Sequence, residues 1–218
     1  MKKYELTDII NPKWWDVHLR RIRALRDIPR YNVQAGELGG WLESENNLSQ
    51  DGDCWVGDDA WVSGYTRVKD NAWVKENAWV ADFARVSGNA IITGNAWVEF
   101  DAQVKGNAII AGNARVAQHG VITSTQDYLV VGPIGSRDDR TTFYRTASGI
   151  WVRCGRFNGS IGEFETEVGK THRTNPHARA YLAAIELAKI RLQEGDALEK
   201  IDPKKLKRLN KTTKDGED

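Results

Sequence analysis

Residues 88–99 read Gly88-Asn89-Ala90-Ile91-Ile92-Thr93-Gly94-Asn95-Ala96-Trp97-Val98-Glu99, two hexapeptides of the form Gly-Asn-Ala-x-Val-x. The unit recurs in both directions, and twelve consecutive hexapeptides between Cys54 and Ile122 carry an aliphatic residue at one place, from Val56 and Val62 through Val116 and Ile122. Two residues before each stands something small: alanine nine times, otherwise Cys54, Thr66 or Gly120. Small, intervening and aliphatic residues alternate with period two, so the first and third point inward and the second outward from a short strand. The Gly-Asn pair then bends the chain, because glycine, and to a lesser degree Asn and Asp, tolerates left-handed backbone angles. Three such units close a triangular coil of 18 residues, and stacked coils set parallel strands about 4.8 Å apart. A register kept this strictly is a repeat, and it makes every side chain part of a column with an 18-residue period.

These repeats resemble the hexapeptide repeats of left-handed β-helix proteins, a superfamily that includes bacterial acyltransferases. More narrowly, Leu19-Arg20-Arg21-Ile22-Arg23-Ala24-Leu25 with Ala35-Gly36-Glu37-Leu38-Gly39-Gly40-Trp41-Leu42 is similar to the YdcK-like proteins of enterobacteria and their phages, over roughly residues 19–124. The resemblance implies a mainly β fold, a left-handed parallel β-helix of about five 18-residue coils. It also implies a homo-oligomer, with a trimer as first expectation, and makes a phage-type, host-directed role conceivable. The motif is specific for fold and poorly specific for activity.

Continued backwards, the register puts Gly36, Leu42 and Leu48 in small-residue places, Leu38 in an aliphatic place, and Glu37, Glu43 and Ser49 outward. The β-helix is therefore expected over 36–124, opening with a polar coil that discourages further strand pairing. Residues 1–35, with Trp14-Trp15 and the basic run from His18 to Arg26, are expected to cap this end as a strand followed by a short helix. After Thr123 the repeat stops. Tyr128–Val131, Thr141–Tyr144 and Gly149–Arg153 are β-type runs. Ser160-Ile161-Gly162-Glu163 is a capping box opening a helix to about Lys170. A second helix starts at Asn175-Pro176 with Ala178, Tyr181, Leu182, Ile185 and Ala188 on one stripe. Residues 125–195 thus read as an α+β module of three strands and two helices. Residues 196–218 read as a basic, partly disordered tail, with six positive charges and no acid between Lys204 and Lys214.

A net charge of +1 predicts no global attraction to nucleic acid. No stretch approaches the ~20 apolar residues of a membrane helix, and Met1-Lys2-Lys3-Tyr4-Glu5 lacks the apolar run of a secretory signal. Two cysteines make no disulfide framework. A cytoplasmic protein of a bacterial host cell is the expectation.

The column rule sorts the outward residues into three faces. One carries Trp55, Trp73, Ile91 and Ile109, the second Trp61, Trp79, Trp97 and Arg115, the third Arg67, Arg85, Gln103 and Val121. The five tryptophans form ladders to be covered by the terminal segments, by a second subunit or by another protein. Of the three corner columns, two hold Asn and Asp, whereas the third holds Tyr65, Phe83, Asp101 and His119 beside Arg67 and Arg85. Aromatic and cationic groups together suit an anionic, ring-bearing ligand, or else pack beneath a terminal domain. In the C-terminal part, Gly135, Ser136, Arg137 and Arg140 suit a phosphate cradle, although the Lys-Ser/Thr and helix of a P-loop are missing and an ordinary hairpin loop is the favoured explanation. Under the acyltransferase resemblance His119 would be a base oriented by Asp101, with acetyl-CoA as cofactor. No extruded loop interrupts residues 54–122, which argues against it. His172 and His177 lack a partner at metal-ligand spacing. The expectation is a non-catalytic binding protein without cofactor or metal, engaging a host protein or an anionic, nucleotide-like molecule. An acyl-CoA-dependent transferase and a structural assembly component are the alternatives.

Overall fold

The structure is a computed structural model that describes residues 2–11 and 18–192. Each hexapeptide forms a two-residue strand and a bend. The twelve strands β4 to β15 run from Trp55–Val56 to Val121–Ile122. They stack in parallel on three faces, with Trp61 opposite Trp79, Trp73 opposite Ile91 and Arg67 opposite Arg85. This is the three-sided parallel β-helix of about five coils that the repeat predicts. The small and aliphatic columns from Cys54 to Ile122 are buried throughout.

The bends differ from expectation in one respect. The left-handed residue is mostly the one two places before the small residue: Gly52, Gly64, Gly88, Gly94, Gly106 and Gly112, but also Asp58, Asp70, Glu76, Asp82 and Phe100, while the last bend is left-handed at His119, directly before Gly120. Asn side chains instead form ladders between coils, Asn71 to Asn89 at 3.3 Å and Asn89 to Asn107 at 3.0 Å. A left-handed L-residue costs roughly 1–2 kcal/mol. The carboxylates offset this by reaching the next coil, where Asp58 accepts from the Glu76 N–H at 3.0 Å, Asp70 from Gly88 at 2.9 Å and Asp82 from Phe100 at 2.9 Å.

The first coil corrects the backward register. Leu42 lies opposite Val62 and Leu48 opposite Val68, a shift of twenty residues rather than eighteen. Leu42 and Leu48 therefore take aliphatic places, Leu38 is 46% exposed, and Trp41 stands outward above Trp61 where a polar residue was expected. The two extra residues fall in the bend between Leu48 and Cys54, and that longer bend anchors the N-terminus. Gln50 Oε1 accepts from the Lys3 N–H at 2.8 Å, and the buried Lys3 Nζ donates to the Cys54 carbonyl at 2.8 Å. Burial lowers the Lys3 pKa.

The N-terminal cap holds two paired strands and then a one-turn 3-10 helix, Pro29–Tyr31, where one strand and a short helix were expected. Among the described residues, β1 (Tyr4–Ile10) pairs antiparallel with β2 (Arg20–Ala24), and β2 with β3 (Leu38–Leu42). The basic run alternates in β2: Ile22 and Ala24 are buried, Arg23 meets Glu5 at 3.3 Å and Arg20 meets Asp8 at 3.2 Å. Trp14 and Trp15 lie outside the described residues, as does the tail 196–218.

At the other end, four antiparallel strands form one sheet: β16 (Tyr128–Ile134), β17 (Asp139–Thr146), β18 (Gly149–Cys154) and β19 (Phe157–Ser160). The fourth, β19, is additional to the three strands expected. The sheet closes the open end of the solenoid, whose strand edge would otherwise invite pairing. Tyr144 is fully buried in the solenoid core, and the Arg115 N–H donates to Thr142 Oγ1 at 3.1 Å. Gly120 replaces alanine here because a Cβ would stand 3.4 Å from the Tyr144 ring and 2.5 Å from Val116. Two helices, α1 (Ile161–His172) and α2 (Pro176–Leu192), cover the sheet through Phe164, Val168, Tyr181 and Ile185. The Ser160–Glu163 capping box forms as read, with Ser160 N–H donating to Glu163 at 2.8 Å. No helix among the described residues is long and apolar enough to cross a membrane.

Candidate functional site

The third corner of the β-helix is where side chains depart furthest from what bending requires. Tyr65 is 77% exposed and Phe83 61%, and their rings stack at 5.2 Å with 9° between planes, because they sit one coil apart. Phe100 lies alongside, in the neighbouring column with Asp82, in a left-handed conformation unusual for a bulky residue, with its N–H held by Asp82. Two residues beyond Tyr65 and Phe83 stand Arg67 and Arg85, both exposed on the same face as Lys69 and Lys105. None of these four cations forms an ion pair among the described residues.

Above Tyr65 opens a recess of about 500 Å³, lined by Glu43, Ser44, Asn46, Asn47, Gly64, Tyr65, Thr66 and Arg67. The first coil supplies its upper wall through the capped turn at Ser44–Asn47. The only carboxylate in it, Glu43, is engaged by the Gly64 N–H at 2.6 Å, and Asn47 donates to the Gly64 carbonyl at 2.8 Å. An aromatic wall and an unpaired guanidinium thus face one polar cavity, which fits a planar anion better than an apolar or cationic guest.

Asp101 and His119 meet at the far end of the same corner. His119 Nδ1 lies 3.0 Å from Asp101 Oδ2, and the His119 N–H donates to Oδ1 at 2.8 Å. Burial alone would raise the Asp101 carboxyl, but the His119 hydrogen bonds outweigh it and hold it below its ordinary value. The backbone half of this contact repeats the carboxylate-to-amide rung of the coils above. The His119 ring also meets Trp151 edge-on at 5.5 Å.

The tryptophans separate into covered and half-covered sets. Trp55 is 2% exposed beneath the N-terminal cap, and Tyr31 stacks on Trp73 at 4.5 Å, so Trp55 offers no interface to another chain. Trp61, Trp79 and Trp97 superpose as expected, at 4.7 Å and 4.3 Å. The structure adds Trp41 above them and a guanidinium at each end, Arg21 at 4.8 Å from Trp41 and Arg115 at 4.2 Å from Trp97. The slipped first register hid this extension.

The C-terminal residues do not assemble into one phosphate cradle. Gly135 packs on Tyr181, where a Cβ would overlap the hydroxyl, so this glycine serves packing. Arg137 faces a recess beside α1 and α2, whereas Arg140 lines a different cleft against the end of the β-helix and lies 3.6 Å from Asp139. Ser136 is exposed. Among the described residues no cluster of His, Cys, Asp and Glu could hold a metal. No protein-family model matches this chain, and no curated protein sequence matches it either.

Proposed function

We propose that this is a binding protein whose β-helix presents the Tyr65–Arg67 corner to an anionic, ring-bearing small molecule of nucleotide type. The observation that carries the reading is the exposed Tyr65–Phe83 stack beside two unpaired arginines, at the mouth of a recess of about 500 Å³. A solvent-exposed aromatic stack gains by accepting a further ring on its open face, and a guanidinium one strand position away supplies the anion contact. Calorimetric titration of mononucleotides against wild type, Tyr65→Ala and Arg67→Ala tests it. Each variant is expected to weaken binding roughly tenfold, since a charge-assisted or stacking contact contributes about 1–3 kcal/mol. Equal affinities in all three proteins would remove the reading.

A second reading rests on the 3.0 Å contact between His119 and Asp101: acyl transfer from acetyl-CoA with His119 as base. Turnover of acetyl-CoA that disappears in His119→Ala would favour it, and no turnover with a broad panel of amine and hydroxyl acceptors would count against it.

A further inference from the structure

The C-terminal module contains a second recess, apart from the β-helix corner, of about 350 Å³, between α1, α2 and the β18–β19 hairpin. Its walls are aromatic. Phe157 lies 5.0 Å from Phe164, Phe164 meets Tyr181 edge-on at 5.5 Å, and His172 stacks on Tyr181 at 5.6 Å. These rings come from both helices and the hairpin, so the recess exists only once the module is packed.

Two cations stand at its rim. Arg137 and Arg156 are both exposed, and the Arg137 guanidinium lies against the hairpin turn that carries Arg156. A Cβ at Gly155 would stand 3.2 Å from that guanidinium, so the glycine lets it approach. Neither arginine has a carboxylate within 4.0 Å among the described residues. The carboxylate that does line the recess, Glu167, accepts from Thr171 Oγ1 at 3.3 Å and lies 3.8 Å from Lys170. Two unpaired guanidiniums around one turn repel each other, and an anion between them turns that repulsion into two charge-assisted contacts. Deeper in, Cys154 Sγ lies 3.7 Å from the Tyr181 oxygen and receives the Thr141 hydroxyl at 3.2 Å. Burial pushes Tyr181 up to about 12, so the floor is a neutral hydroxyl that does not oppose an anion.

We propose that this recess binds a small aromatic anion, its ring among Phe157, Phe164, Tyr181 and His172, its carboxylate or phosphate held by Arg137 and Arg156. The volume is at the lower end for ligand pockets, ~300–1,000 Å³, which selects a one- or two-ring molecule and leaves no room for a dinucleotide. The inference stands apart from the β-helix corner.

The test is titration calorimetry of the whole protein with phenyl phosphate and benzoate, against inorganic phosphate and benzyl alcohol, which carry one feature each. At least one aromatic anion is expected to bind wild type more tightly than both controls. Arg137→Gln and Arg156→Gln are each expected to weaken it roughly tenfold. Thr171→Trp, which fills the recess from an exposed position, should abolish binding, while Arg67→Ala should leave it unchanged. No binding of either aromatic anion overturns the proposal, as does wild-type affinity in a variant that combines Arg137→Gln and Arg156→Gln. Loss of binding in Arg67→Ala would place the probe at the β-helix corner and overturn it equally.

Discussion

Thr66 occupies a column otherwise filled by Ala84, Ala102 and Gly120, and it is fully buried. Its Oγ1 has no hydrogen-bond partner among the described residues. A buried hydroxyl without a partner carries its desolvation penalty uncompensated. Thr66→Val keeps the shape and removes the group, so it is expected to stabilise the protein by about 1 kcal/mol, read as a rise in the urea midpoint at unchanged slope. Unchanged or lower stability would show that the hydroxyl is satisfied. Its neighbours Tyr65 and Arg67 were legible as site candidates because a column of bending residues had switched to rings. Gly135 left two readings open, a phosphate cradle and an ordinary hairpin loop, and the structure packs it on Tyr181. A glycine that accommodates a tyrosine 46 residues away has the same local signature as one that cradles a phosphate.

Between the β-helix and the C-terminal sheet, the turn Ser124–Asp127 is a capped one-turn helix. Asp127 accepts from the Thr123 N–H at 2.7 Å and from the Ser124 N–H at 2.9 Å, with Arg145 at 3.4 Å. Burial by itself would raise this carboxyl, but the Thr123 and Ser124 hydrogen bonds and the Arg145 charge together lower it. A lowered carboxyl means that the unfolded chain binds more protons in acid. The contribution is therefore present above the ordinary aspartate range and is lost as pH falls through the folded-state value. Asp127→Asn is expected to cost about 1 kcal/mol at neutral pH, as for a lost cap, with the deficit shrinking towards pH 3. A constant deficit in thermal melts from neutral to acid pH would overturn this. Strands β2 and β19 were missed because each needs a partner strand to exist. The arginine-rich run becomes a strand through Glu5 and Asp8 on β1, and Asn158-Gly159 through pairing with β18.

Two-residue strands are too short to be stable alone, so the β-helix holds together by neighbour-to-neighbour stacking between two caps. This predicts tolerance to the loss of a complete turn of the solenoid. Deletion of residues 75–92 joins Val74 to Thr93, keeps every column in place and brings Trp97 beneath Trp61. It is expected to give a folded protein with a cooperative melt. Deletion of residues 75–80 rotates the lower coils, with the C-terminal module, by one face against the upper coils and the N-terminal cap, and is expected to give no cooperative melt. Circular dichroism with thermal denaturation distinguishes them, and equal behaviour of the two deletions would contradict the eighteen-residue period.

That period was readable directly, because the alternation of small, outward and aliphatic residues depends only on neighbours along the chain. The superposition of Trp61, Trp79 and Trp97 follows from it arithmetically. The shift at residues 50–53 was not readable. Extra residues in a polar bend leave no mark on a hydrophobic pattern, and only docking of Lys3 and Tyr4 reveals their use. Nor were the two recesses, because their walls come from segments far apart in the chain, Glu43 with Tyr65 in one and Arg137, Phe157 and Tyr181 in the other. Periodicity encodes what stacks on what. Which side chains share a cavity depends on where the caps dock, and that is set by non-local packing.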